Sequence, residues 1–369
     1  MMSKQIQEGG DNSSNYQARE MTVNVVGIDE KRAREIYKEM NLQVKEDFTK
    51  EALEVAKVRV TEFENSLMHK MENVEGALEA FADPSFQLLL VEAQKTAAAT
   101  ERTVDYDMLS ELLVYRFQKG ENRTIRAGIS RAVEVIDEIA DDALLGLTAF
   151  HAVHTFFPTT GDIQIGLDVL DKLFGNIFYG KLPVGRDWLD HLDILNAVRL
   201  DSFNGMKKID DYYPEKLCGY IDAGIKKDSE DFTKAVDILK ANDLPLDILV
   251  VHVLNPEFVR LYIPDRHQIG SITISKQELY EEQLIQRFSN LSEKQKDAVN
   301  MVYDLYDKDI NVKKENIRLF MESWDERVNL VVLKDWWNGL DAGVQITSVG
   351  RVLAHSNAQR CDKNLPPFE

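Results

Sequence analysis

The chain has 369 residues, 44% of them hydrophobic and 29% charged, with a formal net charge of −19. This is an ordinary globular composition, long enough for two or three modest domains. The acidity repels nucleic acid and anionic lipid unless a local basic patch intervenes. Cys218 and Cys361 lie far apart, with neither CxxC nor metal spacing, which suits free thiols in a reducing cytoplasm. There is no apolar N-terminal h-region and no apolar run near the ~18 residues of a membrane span, so a cytoplasmic protein without membrane contact is expected.

Residues 1–27 read as a polar tail rich in Gln, Asn, Ser and Gly, closing on the β-prone run "MTVNVV" (21–26). Gln7, Asn12, Asn15 and Gln17 are side chains that ladder when identical strands stack, and Val23 and Val25 would share one strand face. Residues 28–82 predict a long helix opening at Asp29, a capping residue followed by the acidic Glu30. Val60, Phe63, Leu67 and Met71 step by three and four along a heptad-like seam. Unbroken, such a helix would be about 80 Å long at ~1.5 Å per residue, and it would pack on its own chain or on a second copy.

"ADPS" (82–85) breaks that helix, and residues 83–270 predict a multi-helix body. Amphipathic segments include "FQLLLVEAQKTAAAT", "DYDMLSELLVYRF" and "RAGISRAVEVIDEI". "DDALLGLTAFHAVHTFF" is apolar nearly all round and so predicts a buried helix. "GRDWLDHLDILNAV" and "SEDFTKAVDILKAN" read as helices, whereas "PLDILVVHVLNPEFVRLYIP" is β-branched and reads as a strand pair or an irregular extended stretch. Residues 271–369 predict a compact last unit: a strand at "SITIS", then helices at "SKQELYEEQLIQRF", "SEKQKDAVNMVYDLYDKD" and "NIRLFMESWDERVNLVVLKDWWNGL". In "GVQITSVGRVLAHSNAQR", Val344 and Ile346 would share a face, Val349–Gly350 would turn, and Val352–Ala354 would return. Helices followed by a small β-hairpin predict a winged helix-turn-helix.

Catalytic and metal motifs are weak. "GNIFYGK" (175–181) has Gly-x4-Gly-Lys spacing, but Leu182 stands where a P-loop needs Ser or Thr, and no strand precedes it; a helix end and a turn fit better. His151 and His154 stand at i, i+3, yet no acidic or Cys partner is near in sequence, so structural histidines are expected rather than metal ligands. In "DKDINVKKE" (307–315), Asp307, Asp309 and Asn311 imitate a calcium loop, but Val312 replaces the required Gly and Arg318 the closing acid. Asp141–Asp142 and Asp210–Asp211 are adjacent and would diverge by ~100° on a helix. No catalytic residue, cofactor or metal site is therefore assigned. For nucleic acid, Arg351 and Arg360 are the candidate contacts, in a segment (343–369) with three basic and two acidic residues. "LKDWWNGLDA" is poor in the Lys, Arg, Asn and Gln of a recognition helix, and Trp336 and Trp337 read as core and interface.

"GDNSSNYQA" (10–18), "GIDEKRAREI" (27–36) and "ITSVGRVLAHSNAQR" (346–360) resemble segments of an uncharacterised family of bacterial proteins. In it a Gly-Asp-Asn-Ser-x-Asn-x-Gln tail precedes a long helix, a helical body and a C-terminal Thr-Ser-Val-Gly segment. The resemblance implies no activity. The tail also resembles those of bacterial defence and signalling proteins, which implies a defence- or stress-linked role. The expectation is a mainly helical, non-enzymatic protein that assembles with itself through residues 1–82 and presents surfaces to a protein partner. The alternative is a nucleic-acid-binding regulator using the C-terminal unit.

Overall fold

The computed structural model describes residues 28–45, 49–120, 122–201, 205–280 and 283–368. The protein is mainly helical, with three small sheets. Helix α1 (Glu30–Lys45) is capped by Asp29, whose carboxylate accepts the Arg32 amide at 2.8 Å. Helix α2 (Lys50–Glu72) begins afresh at Thr49, whose hydroxyl accepts from the Ala52 amide. The single helix expected over 29–82 is thus corrected to two. Tyr37 donates to the Val60 carbonyl at 2.9 Å, and Arg34 reaches Glu64 and Glu72, so α1 runs back along α2. Burial is the reason: Val60, Phe63, Leu67 and Met71 are at most 1% exposed, in one core with Ala33, Ile36 and Tyr37 of α1. The seam closes on its own chain.

A 3-10 turn (Ala77–Ala82) ends at Asp83, which caps α3 (Pro84–Ala99) with Pro84 in its first turn. Helices α4 (Thr103–Gln118), α5 (Arg123–Val135), α6 (Asp141–Thr155), α7 (Ile163–Ile177) and α8 (Asp187–Ile194) follow. In α6 every residue from Ala143 to Val153 is buried, as its all-round apolar sequence requires. Strand β1 (Val198–Asp201) precedes the short helices α9 (Ile209–Lys216) and α10 (Cys218–Ile221). Strand β2 (Ile225–Lys226), helix α11 (Glu230–Ala241), and strands β3 (Leu249–Val251) and β4 (Phe258–Leu261) make an antiparallel sheet, ordered β2-β4-β3, with a helix beside it.

Strands β5 (Thr273–Tyr280) and β6 (Gln283–Asn290) form an antiparallel ribbon, with Thr273 opposite Asn290 and Tyr280 opposite Gln283. This corrects the helix expected at "SKQELYEEQLIQRF". Helices α12 (Glu293–Asp304), α13 (Ile310–Asp325) and α14 (Val328–Asn338), strand β7 (Gly343–Ile346) and helix α15 (Ser348–Cys361) complete the chain. The expected hairpin of a winged helix is not what residues 344–354 form. β7 pairs with β1, Ile346 opposite Val198, and Val349–Ala354 lie in α15, which Thr347 caps at the Gly350 amide. A helix wins because this segment is enclosed on nearly all sides: Val349, Gly350 and Val352 through Ala358 are buried.

Three cores result. The first joins α1–α5 to α8, β1 and α15; the second lies among α6, α7, α9, α10, α13 and α14; the third joins β2–β4 to α11 and α12. Residues 271–369 contribute to all three, through Val302 to the third, Trp324 to the second and Leu353 to the first.

Candidate functional site

The polar run His355-Ser356-Asn357 on α15 is buried. A helix buries such a run at a cost that hydrogen-bond partners offset. The Pro366 carbonyl accepts from His355 Nε2 at 3.0 Å, which leaves His355 Nδ1 as an acceptor. His151 Nε2 then donates to it at 3.2 Å, and His151 Nδ1 accepts from the Thr155 hydroxyl at 3.3 Å. Both imidazoles are neutral in this chain of donors. Burial pushes His151 down to about 3, and burial also lowers His355. Phe368 and Tyr115 pack on the His355 ring, so the C-terminal residues close over the pair. Asn357 donates to Thr148 Oγ1 at 2.8 Å.

Beside this seam, α2, α4 and α15 border a groove of about 620 Å³, within the size of small-molecule sites. Lys70 bridges Glu111 at 2.9 Å and the Asp107 carbonyl at 3.0 Å, while Ser66 donates to the Asp107 carboxylate at 2.8 Å. Arg360 forms another wall, its guanidinium carbon 5.0 Å from the Tyr179 ring centre and its Nε donating to Asn357 Oδ1 at 2.9 Å.

The β5–β6 ribbon is a separate two-stranded sheet. Ile274 anchors its base in the third core, among the described residues no other element packs extensively along it, and Phe288 is 69% exposed. Both of its long strands present an edge.

Of the residues expected at an assembly surface, Gln7, Asn12, Asn15, Gln17, Val23 and Val25 lie outside the described residues, and Val60, Phe63, Leu67 and Met71 are inside the first core. Arg351 is exposed at the start of α15 and Arg360 sits at its end. Nine residues at ~100° each set them about 180° apart, so they face opposite sides. His151 and His154 also diverge: His154 is exposed, stacks on Phe150 at 4.7 Å and donates through Nδ1 to the Phe150 carbonyl. Asp309 caps α13 through the Asn311 amide, and Asp307 accepts from the Asp309 amide. "GNIFYGK" is the end of α7 and its exit turn. Asp141 pairs with Arg102, and Asp210 accepts from Asn338. Among the described residues no group of three or more His, Cys, Asp or Glu is placed to hold a metal ion, and no helix is long and apolar enough to cross a membrane. Sequence reasoning missed the ribbon, whose one signal was the alternation of "SITIS". It also missed the groove, whose Lys70 and Arg360 stand on helices far apart in sequence.

No curated protein and no solved structure matches the chain. One family model does match, over residues 27–366, and it describes an uncharacterised family. That span takes in every helix and strand described above, from α1 to α15, and on it the chain belongs to this family.

Proposed function

We propose that this is a non-enzymatic interaction protein that assembles with copies of itself, with the β5–β6 ribbon as the joining element. The carrying observation is the ribbon's isolation: two long strands with free edges and an exposed Phe288. A lone two-stranded hairpin is marginal in water, and a second ribbon laid edge to edge would pair its free backbone groups and cover Phe288. The N-terminal tail, with its Asn and Gln side chains, is the second joining element of this proposal. We take the role to be signalling, on the tail's resemblance to tails of bacterial defence proteins. Light scattering at tens of micromolar tests it on three chains: full length, Phe288→Asp, and a chain starting at Gly27. The expected result is an oligomer whose mass drops in Phe288→Asp. Mass lost only in the truncated chain would give the joining to the tail, and a monomeric full-length protein would sink the proposal.

A further inference from the structure

We infer that the groove between α2, α4 and α15 binds a small phosphorylated molecule. Glu111 is held by Lys70 and the Asp107 carboxylate by Ser66, so the acids on this wall have partners. Arg360 and Lys363 have no carboxylate partner among the described residues, and both line the groove. Arg360 is also set in place beforehand. Its Nε is fixed by Asn357, which is itself buried against Thr148, and one face of its guanidinium lies over Tyr179. Only the terminal nitrogens remain, apart from a long contact to the Cys361 sulfur. A planar fork held this way offers two parallel donors to an oxyanion, with little further ordering left to do on binding.

The second observation is at the groove's inner wall. Ser356 is 2% exposed and lines the groove, and its hydroxyl, beside that of Tyr115, makes no well-formed hydrogen bond among the described residues. Buried hydroxyls are seldom left unpaired, and a ligand oxygen in the groove would satisfy this one. Asn65 on α2 and Asn73 just past its end add amides suited to hydroxyl groups. A long polyanion is disfavoured, because the molecule as a whole carries −19. A small phosphate ester needs only the local Arg360–Lys363 pair, with Lys70 beside it.

Isothermal titration of the full chain at low salt with two probes, inorganic pyrophosphate and ribose 5-phosphate, tests the inference. Saturable one-to-one binding of at least one probe is expected, weakened at least tenfold in Arg360→Gln/Lys363→Gln and severalfold in Ser356→Ala. A control with Lys308→Gln/Lys313→Gln, at a separate cavity, should bind as the parent does. Circular dichroism confirms that each variant is folded. No saturable binding of either probe, binding that survives the Arg360/Lys363 change, or equal loss in the control would overturn the assignment.

Discussion

Three buried histidines make acid sensitivity a property of single residues. His151 and His355 are linked to each other, and His252 accepts the Leu254 amide through Nδ1 while Nε2 donates to the Asp222 carbonyl. Burial is the main cause in each: His151 falls to about 3, His252 to about 4, and His355 is lowered. A histidine with a depressed folded-state value stays neutral in the fold while the unfolded chain takes up a proton near pH 6.5. Stability from these groups is therefore complete above pH 6.5 and is lost as pH falls toward 4. The slope is about 1.4 kcal/mol per pH unit for each of His151 and His252 in that window, and His355 adds a loss of the same sign. Urea titrations between pH 7 and 4.5 should show the decline, and His151→Gln should remove one histidine's share of the slope. A stability flat across that range would refute the neutral-pair assignment. The sequence carried the histidines at 151 and 154 as structural, but the partner of His151 stands 204 residues away, and no local pattern announces such a pair.

At the scale of elements, apolar spacing told the helices well and their partners poorly. Val60, Phe63, Leu67 and Met71 were legible as a seam, yet a seam is the same whether it meets a second copy or its own α1. Burial decided it, together with the restart at Thr49. Leu67→Ala should accordingly cost roughly 2–5 kcal/mol in urea unfolding and leave the mass by light scattering unchanged. A change in mass with little loss of stability would return the seam to an intermolecular role. The ribbon was misread because "ELYEEQLIQRF" is made of helix formers, and its strand identity comes from pairing across a turn that period-counting does not detect. "TSVGRVLA" was misread in the opposite sense: β-branched residues suggested strands, but the fold needs a helix there to seal the first core. Gly350 marks the closeness of that fit, since a Cβ on it would stand 2.0 Å from the Ala197 carbonyl oxygen, where β1 and α15 meet.

For the whole molecule, the question is whether three cores unfold as one. Arg260 is central among the bonds that tie the third core to the rest. The residue is 1% exposed, and its guanidinium forms no ion pair among the described residues and donates to the carbonyls of Gly219, Leu261 and Ile263 at 3.0–3.1 Å and to that of Gly161. It also stands 5.5 Å from the Tyr220 ring centre. Gly161 precedes α7 and Gly219 lies in α10, so one side chain joins the β2–β4 sheet to two elements of the second core. Arg260→Ala would leave these acceptors buried and unpaired, a loss of roughly 3–5 kcal/mol. The four tryptophans report on the outcome, because Trp188, Trp324, Trp336 and Trp337 all lie in or against the first two cores. In the parent chain, tryptophan fluorescence and far-ultraviolet circular dichroism should trace one coincident urea transition. In Arg260→Ala the dichroism should fall first, as α11 and α12 unfold, with the fluorescence following at higher urea. If the parent's two signals already separate, the cores are independent and Arg260 does not couple them. If the variant loses stability while the signals stay coincident, the coupling runs instead through the remaining bonds, the Gly219 amide to the Pro264 carbonyl and the Tyr303 hydroxyl to Cys218.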